Sequence, residues 1–303
     1  MKFGKDPHFA EKDLSLPDTH PATHTLLEHA TSADKKTVYV GCAKWGIPEW
    51  KGILYPKRTK ASDYLEHYGK CFNGIELNTT HYGNKAPDTI KKWASKVSDD
   101  FRFAPKFPQL ISHIYRLKNT HEPTLRFIDS MQDFGIKLGP SFLQLPPNFS
   151  PAHRDTLFTY LNNLPTGFEV ALELRHEDWF NNAALFNEIC EAMQANNISS
   201  VITDTAGRRD VIHQRLTTPT AFIRFVGNNL HPSDYRRIDE WVEVIIDWFK
   251  RGLYELHFYM HQEDEVNTPT LCSYLIKELH KKQEQLNLVL PQLPALNAQE
   301  ELF

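Results

Sequence analysis

Short apolar, β-branched runs alternate with helical patterns along almost the whole 303-residue chain. TVYVG (37–41), NGIELN (73–78), FRFAPK (101–106), GPSFLQL (139–145), FEVALELR (168–175), ISSVITD (198–204), TAFIRFVG (220–227) and LYELHFYMH (253–261) read as strands. Between them lie helical patterns such as PDTIKKWASKV, HEPTLRFIDSMQDFG and SDYRRIDEWVEVIIDWFKRG. Pro87 and Pro151 suit first turns, Ser150 a cap, and Gly135 a helix end. Strict alternation makes each helix the crossover that returns the chain to the same end, so the sheet is parallel. Eight units predict the α/β class and a (β/α)8 TIM-like barrel. The first turn, GCAKWG, has no G-x-G-x-x-G, which counts against an open nucleotide-binding sheet. TAGRRDVIHQRLTTP carries no amphipathic pattern, so the sixth helix is expected to be degenerate.

The domain reading follows: an N-terminal extension over 1–36 with a weak helical stretch near TLLEHA, the barrel over 37–290, and a C-terminal tail over 291–303. The extension's His8, His20, His24 and His29 are irregularly spaced and read as surface histidines. Cys42, Cys71, Cys190 and Cys272 form no C-x-x-C pair, which predicts reduced thiols and a cytoplasmic protein. No apolar run reaches the length of a membrane span. With 34 basic and 38 acidic residues the net charge is −4, so nucleic acid is not the favoured partner.

Barrels of this kind hold their chemistry at the C-terminal strand ends. There the chain offers Glu76 and Asn78, then His81 and Tyr82; Lys106 with His113; Gln144; Glu173, Arg175 and His176; Asp204; Arg224; and His261. Side chains two apart on a strand share a face. Glu76 pairs with Asn78 and Glu173 with Arg175, while Ile75, Leu77, Leu172 and Leu174 take the opposite face. The polar face then points into the barrel, where Glu76, Glu173 and Asp204 are expected to meet Lys106, Arg175 and Arg224. Trp45, Trp50 and Tyr55 crowd the first loop, and with Trp179 they suggest a stacking wall for a base or sugar.

WGIPEWKGILYP (45–56), IELNTTHYG (75–83), FRFAPKFPQLISH (101–113), LGPSFLQLPPNF (138–149), ALELRHEDW (171–179) and AFIRFVG (221–227) together resemble the YecE-like family, a domain of unknown function. The resemblance implies a TIM-like barrel with no assigned activity, and it touches most of the residues that strand parity selects. Members of that family usually carry Phe where this chain has His81, and commonly an Asn-Asn pair where it has Met260 and His261.

Three functions fit this pattern. The first is a hydrolase or lyase on a phosphate- or carboxylate-bearing substrate, with Arg175, Arg224 and Lys106 as the anion clamp. In it Glu76 and Glu173 form an acid–base pair of separated pKa, His176 or His113 is able to substitute in either role, and Asp204 is a further catalytic carboxylate. The second is a metal-dependent phosphoesterase of the endonuclease IV type, its divalent metal held by His81, His113, Glu173, His176, Asp204 and His261. The third is a non-catalytic binder of a small sugar- or nucleotide-like ligand. No motif implies a cofactor.

Overall fold

A computed structural model describes residues 6–31, 35–283 and 286–293. Residues 1–5 and 32–34 of the expected extension, and 294–303 of the expected tail, lie outside the described residues. All eight expected strands form: β1 (Lys36–Cys42), β2 (Gly74–Leu77), β3 (Arg102–Pro105), β4 (Ser141–Gln144), β5 (Val170–Glu173), β6 (Ile198–Thr205), β7 (Thr220–Val226) and β8 (Glu255–His261). They run parallel in chain order, and β8 pairs with β1 from Thr37 opposite Glu255 to Cys42 opposite Met260. A short β9 (Leu288–Val289) joins the start of β1.

The helices are α1 (Pro21–Glu28), α2 (Tyr64–Cys71), α3 (Pro87–Ala94), α4 (His121–Gln132), α5 (Arg154–Asn162), α6 (Ala183–Ala195), α7 (Pro232–Arg251) and α8 (Thr268–Lys282). Pro87 opens α3 as expected. Pro151 instead opens a single 3-10 turn that leads into α5. Gly135 lies three residues beyond the end of α4, with a left-handed φ of 57°.

One junction of the barrel is closed by side chains. β2 and β3 form a separate ladder, and β3 meets β4 through Phe107 N–H donating to the Phe142 carbonyl (3.0 Å) and Gly139 N–H to that of Phe103 (2.8 Å). Between β1 and β2, the Asn73 amide accepts from Val40 N–H (2.9 Å) and donates to the Val38 carbonyl (2.8 Å). The Tyr68 hydroxyl accepts from Cys42 N–H (2.7 Å) and donates to the Gly74 carbonyl (2.9 Å). A Cβ on Gly41 would stand 1.8 Å from that carbonyl oxygen, so the approach requires glycine.

The β6–β7 connection holds only the 3-10 turn Arg209–Val211, in line with the degenerate sixth helix. The N-terminal segment packs over it instead. Arg209 donates to the Leu14 and Ser15 carbonyls, Leu216 N–H to the Thr23 hydroxyl, and Trp248 of α7 to the Thr19 hydroxyl. Leu27 and Thr23 of α1 are fully buried. No described helix is long and apolar enough to cross a membrane.

Candidate functional site

Period two sorts the barrel interior into layers. Ala104, Phe142, Ala171, Val201, Phe222 and Tyr259 form an apolar layer across the middle. Two residues further along each strand come Lys106, Gln144, Glu173, Arg224 and His261, joined by Glu76 from β2. The charged layer therefore rests on an apolar floor.

Arg224 is its centre and is wholly buried. Its Nε and Nη2 donate to the two oxygens of Glu76 (2.7 and 2.8 Å), and its Nη1 donates to Glu173 Oε2 (2.7 Å). The guanidinium lies 5.2 Å from the centre of the Phe142 ring. Glu173 also accepts from Arg175 Nε (2.5 Å) and Gln144 Nε2 (2.7 Å). Glu76 accepts from Asn78 Nδ2 (2.8 Å), with His261 Nε2 at 3.1 Å.

Burial alone would raise both carboxyls, but their hydrogen-bonding and charged partners outweigh it. Arg224 and His261 hold Glu76 well below the usual range, and Arg175 and Arg224 hold Glu173 down to about 2. Both are therefore carboxylates at neutral pH. This corrects the expected acid–base pair of separated pKa: one guanidinium shared between the two treats them alike. It also removes Arg224 as a substrate clamp, because it is wholly buried and bonded to Glu76 and Glu173 inside the protein.

Lys106 is placed differently. Its amine donates to Gln144 Oε1 (2.8 Å) and lies 5.7 Å from the centre of the Phe142 ring. Among the described residues no carboxylate lies within ion-pair distance of it. Burial, and then the neighbouring Arg224 charge, pushes it down to about 8, partly offset by Glu76 and Glu173. The Thr80 hydroxyl bonds the Lys106 carbonyl (2.7 Å), and Lys106 N–H donates to the Leu77 carbonyl (3.1 Å).

The β2 and β3 loops line the approach. His81 Nδ1 lies 2.8 Å from the Phe107 carbonyl, which fixes the proton on that nitrogen. The His81 and His113 rings meet edge to face at 4.9 Å, and Tyr82, 76% exposed, follows at 5.5 Å from His81. Burial and the Lys106 charge lower both histidines to about 4.

Several expected residues sit elsewhere. Asp204 points outward from β6, not into the barrel: it accepts from Arg237 (2.9 Å) and Trp241 (2.8 Å) of α7, and from Arg209 (2.5 Å). Val201 and Thr203 hold the inner face of β6. Trp50, Tyr55 and Trp179 are fully buried in the core outside the barrel, so they form no stacking wall. Their polar atoms bond the carbonyls of Glu265, Trp45 and Phe149. Trp45 packs edge-on against Trp93. His176 Nδ1 accepts from Asp178 N–H as a turn cap. The metal set of His81, His113, Glu173, His176, Asp204 and His261 is not gathered, and no group of three His, Cys, Asp or Glu among the described residues is disposed to hold an ion. A groove of about 570 Å³ at α4 and α5, lined by Thr120, His121, Thr124 and Asn163, lies away from the strand ends and brings no converging charges.

Sequence reasoning passed over Phe142, the ring beneath both cations, although it lies two residues before Gln144. It also passed over Arg237, whose acidic partner is 33 residues away.

The fold and this layer define a TIM-like barrel with its polar groups gathered at the C-terminal strand ends. A family model described as a protein of unknown function, DUF72, matches residues 39–298, and the chain belongs to that family. It is 27% identical over 284 residues to the UPF0759 protein YecE of Escherichia coli K12, covering 88% of this chain and all of that one. It is 22% identical to YunF of Bacillus subtilis over 151 residues, 48% of this chain and 52% of that one. Two DUF72 crystal structures share the fold. EF0366 of Enterococcus faecalis matches with a TM-score of 0.65, 17% identity and coverage of 82% of this chain and 99% of that one. TM1631 of Thermotoga maritima matches with 0.62, 21%, and coverage of 81% and 99%.

Proposed function

We propose that the C-terminal mouth of the barrel is an enzyme site for a small carboxylate- or phosphate-bearing substrate, a lyase or hydrolase in which Lys106 transfers the proton. The observation that carries this reading is the division of labour around Phe142. Glu76 and Glu173 are committed to arginines, while Lys106 is buried without a carboxylate and tuned to about 8. A proton-transfer group works best when its pKa lies near the operating pH.

The anion is attracted by a surplus of positive charge. Arg224, Arg175 and Lys106 face two carboxylates, Glu76 and Glu173. Neutral His81 and His113 flank the approach as hydrogen-bonding groups.

Isothermal titration with inorganic phosphate and with pyruvate tests the anion site. Wild-type protein is expected to bind at least one, and Lys106→Met to lose at least about tenfold in affinity, the cost of one charge-assisted hydrogen bond. Equal affinity in the variant overturns the assignment.

A further inference from the structure

Resting on that reading of the mouth, we propose that Lys106 is a nucleophile that forms an imine, so that the substrates of this site are small oxo acids or oxo phosphates: an aldehyde or ketone on a short carbon chain that also carries the anion. A lysine that only moves protons needs a tuned pKa. One that attacks carbon also needs a lone pair not drawn away by a carboxylate, a fixed stem, and surroundings that keep water scarce.

Lys106 meets all three conditions. Every carboxylate oxygen in the layer already accepts from another group: Glu76 from Arg224 and Asn78, Glu173 from Arg224, Arg175 and Gln144. The amine donates to the Gln144 carbonyl oxygen, a neutral acceptor that orients the nitrogen without holding it charged. The stem leaves a backbone pinned on both sides, by Leu77 through its N–H and by Thr80 at its carbonyl. The nitrogen stands over Phe142, and the residue is 9% exposed. Neighbouring cations oppose its protonation, a recognised way of activating a lysine. At neutral pH the fraction of free amine is on the order of a hundredfold above that of an ordinary lysine.

The step balances without any co-reactant. The nitrogen lone pair forms a bond to the carbonyl carbon as the C=O π pair moves to oxygen, and a proton passes from nitrogen to that oxygen. The hydroxyl then takes up a proton from solvent and leaves as water, while the nitrogen lone pair forms the C=N bond and leaves the imine protonated. His81 is suited to relay the proton, because its Nδ1–H is held by the Phe107 carbonyl and its Nε2 keeps a lone pair. The protonated imine that follows is an electron sink. It supports bond cleavage next to the former carbonyl, which is lyase chemistry. Arg175, two residues beyond Glu173 along the chain, adds positive charge that attracts the substrate's anion.

Borohydride trapping tests the imine. The full chain is incubated with pyruvate or with glyceraldehyde 3-phosphate, reduced with sodium borohydride, digested and examined by mass spectrometry. The expected result is a reduced adduct on Lys106, with the exposed Lys57 and Lys118 labelled on the order of tenfold less or lower. Lys106→Arg keeps the charge and should lose the adduct while melting like wild type. Labelling spread evenly over surface lysines overturns the imine. So does Lys106-dependent binding of either probe with nothing trapped, although the proton-transfer reading then stands. Absence of both binding and trapping with either probe overturns both.

Discussion

The two ends of the barrel interior carry charge in opposite ways. At the N-terminal end, Arg102 stacks on Tyr39, Glu255 pairs with His257 at 2.7 Å, and Glu169 opens to solvent. At the C-terminal end, Glu76, Glu173 and Arg224 have no exposed surface, and the surplus amine of Lys106 is buried with them. At the base the Glu169 side chain reaches solvent, whereas Glu76, Glu173 and Arg224 at the top do not. Charge at a strand end is therefore not in itself a functional signal. An ionisable group kept from both water and a counter-charge is a stronger one.

Removing the centre of the upper layer is the harshest way to break this contrast. Arg224→Met leaves two carboxylates buried with their main partner gone, and is expected to cost about 3–5 kcal/mol in urea denaturation. A loss under about 1 kcal/mol would mean that the layer is hydrated and resembles the base.

A smaller effect of opposite sign is expected at Lys106. Its folded pKa of about 8 lies below the ordinary 10.5, so between those values the unfolded chain holds the extra proton. Wild-type stability should rise with pH across that window. Below it, the buried ammonium costs on the order of 3 kcal/mol. Lys106→Met, which also gives up the Gln144 hydrogen bond, should gain about 2 kcal/mol at pH 7 and progressively less above pH 8. A destabilised variant with no pH dependence would show that the amine is already compensated.

At the base, Glu169→Gln should change stability by less than about 0.5 kcal/mol, as for a solvated surface charge. A loss comparable to that of Arg224→Met would erase the difference between the ends.

The upper layer was legible because two rules act together on short strands. Alternation places Glu76, Lys106, Gln144, Glu173 and Arg224 inside, and parallel order brings them to one end. β6 defeated the same argument. In ISSVITD apolar residues occupy both faces, Ile198 and Ile202 on one and Val201 on the other, so the phase of Asp204 cannot be read locally. Its outward direction is set by Arg237 and Trp241, on a helix more than thirty residues later. The aromatic loop misled for a related reason. Trp50 and Tyr55 have the composition of a ligand wall, but their hydrogen-bonding atoms find backbone carbonyls within the core.

The sequence by itself determined the parallel barrel, the missing sixth helix and the convergence of charge, because these follow from period and order along the chain. Tertiary structure alone decided which charges cancel. An ion pair depends on distances of a few ångströms between residues as far apart as Glu76 and Arg224, 148 positions in sequence. That cancellation leaves Lys106, of all the charged residues in the layer, without a counter-charge among the described residues.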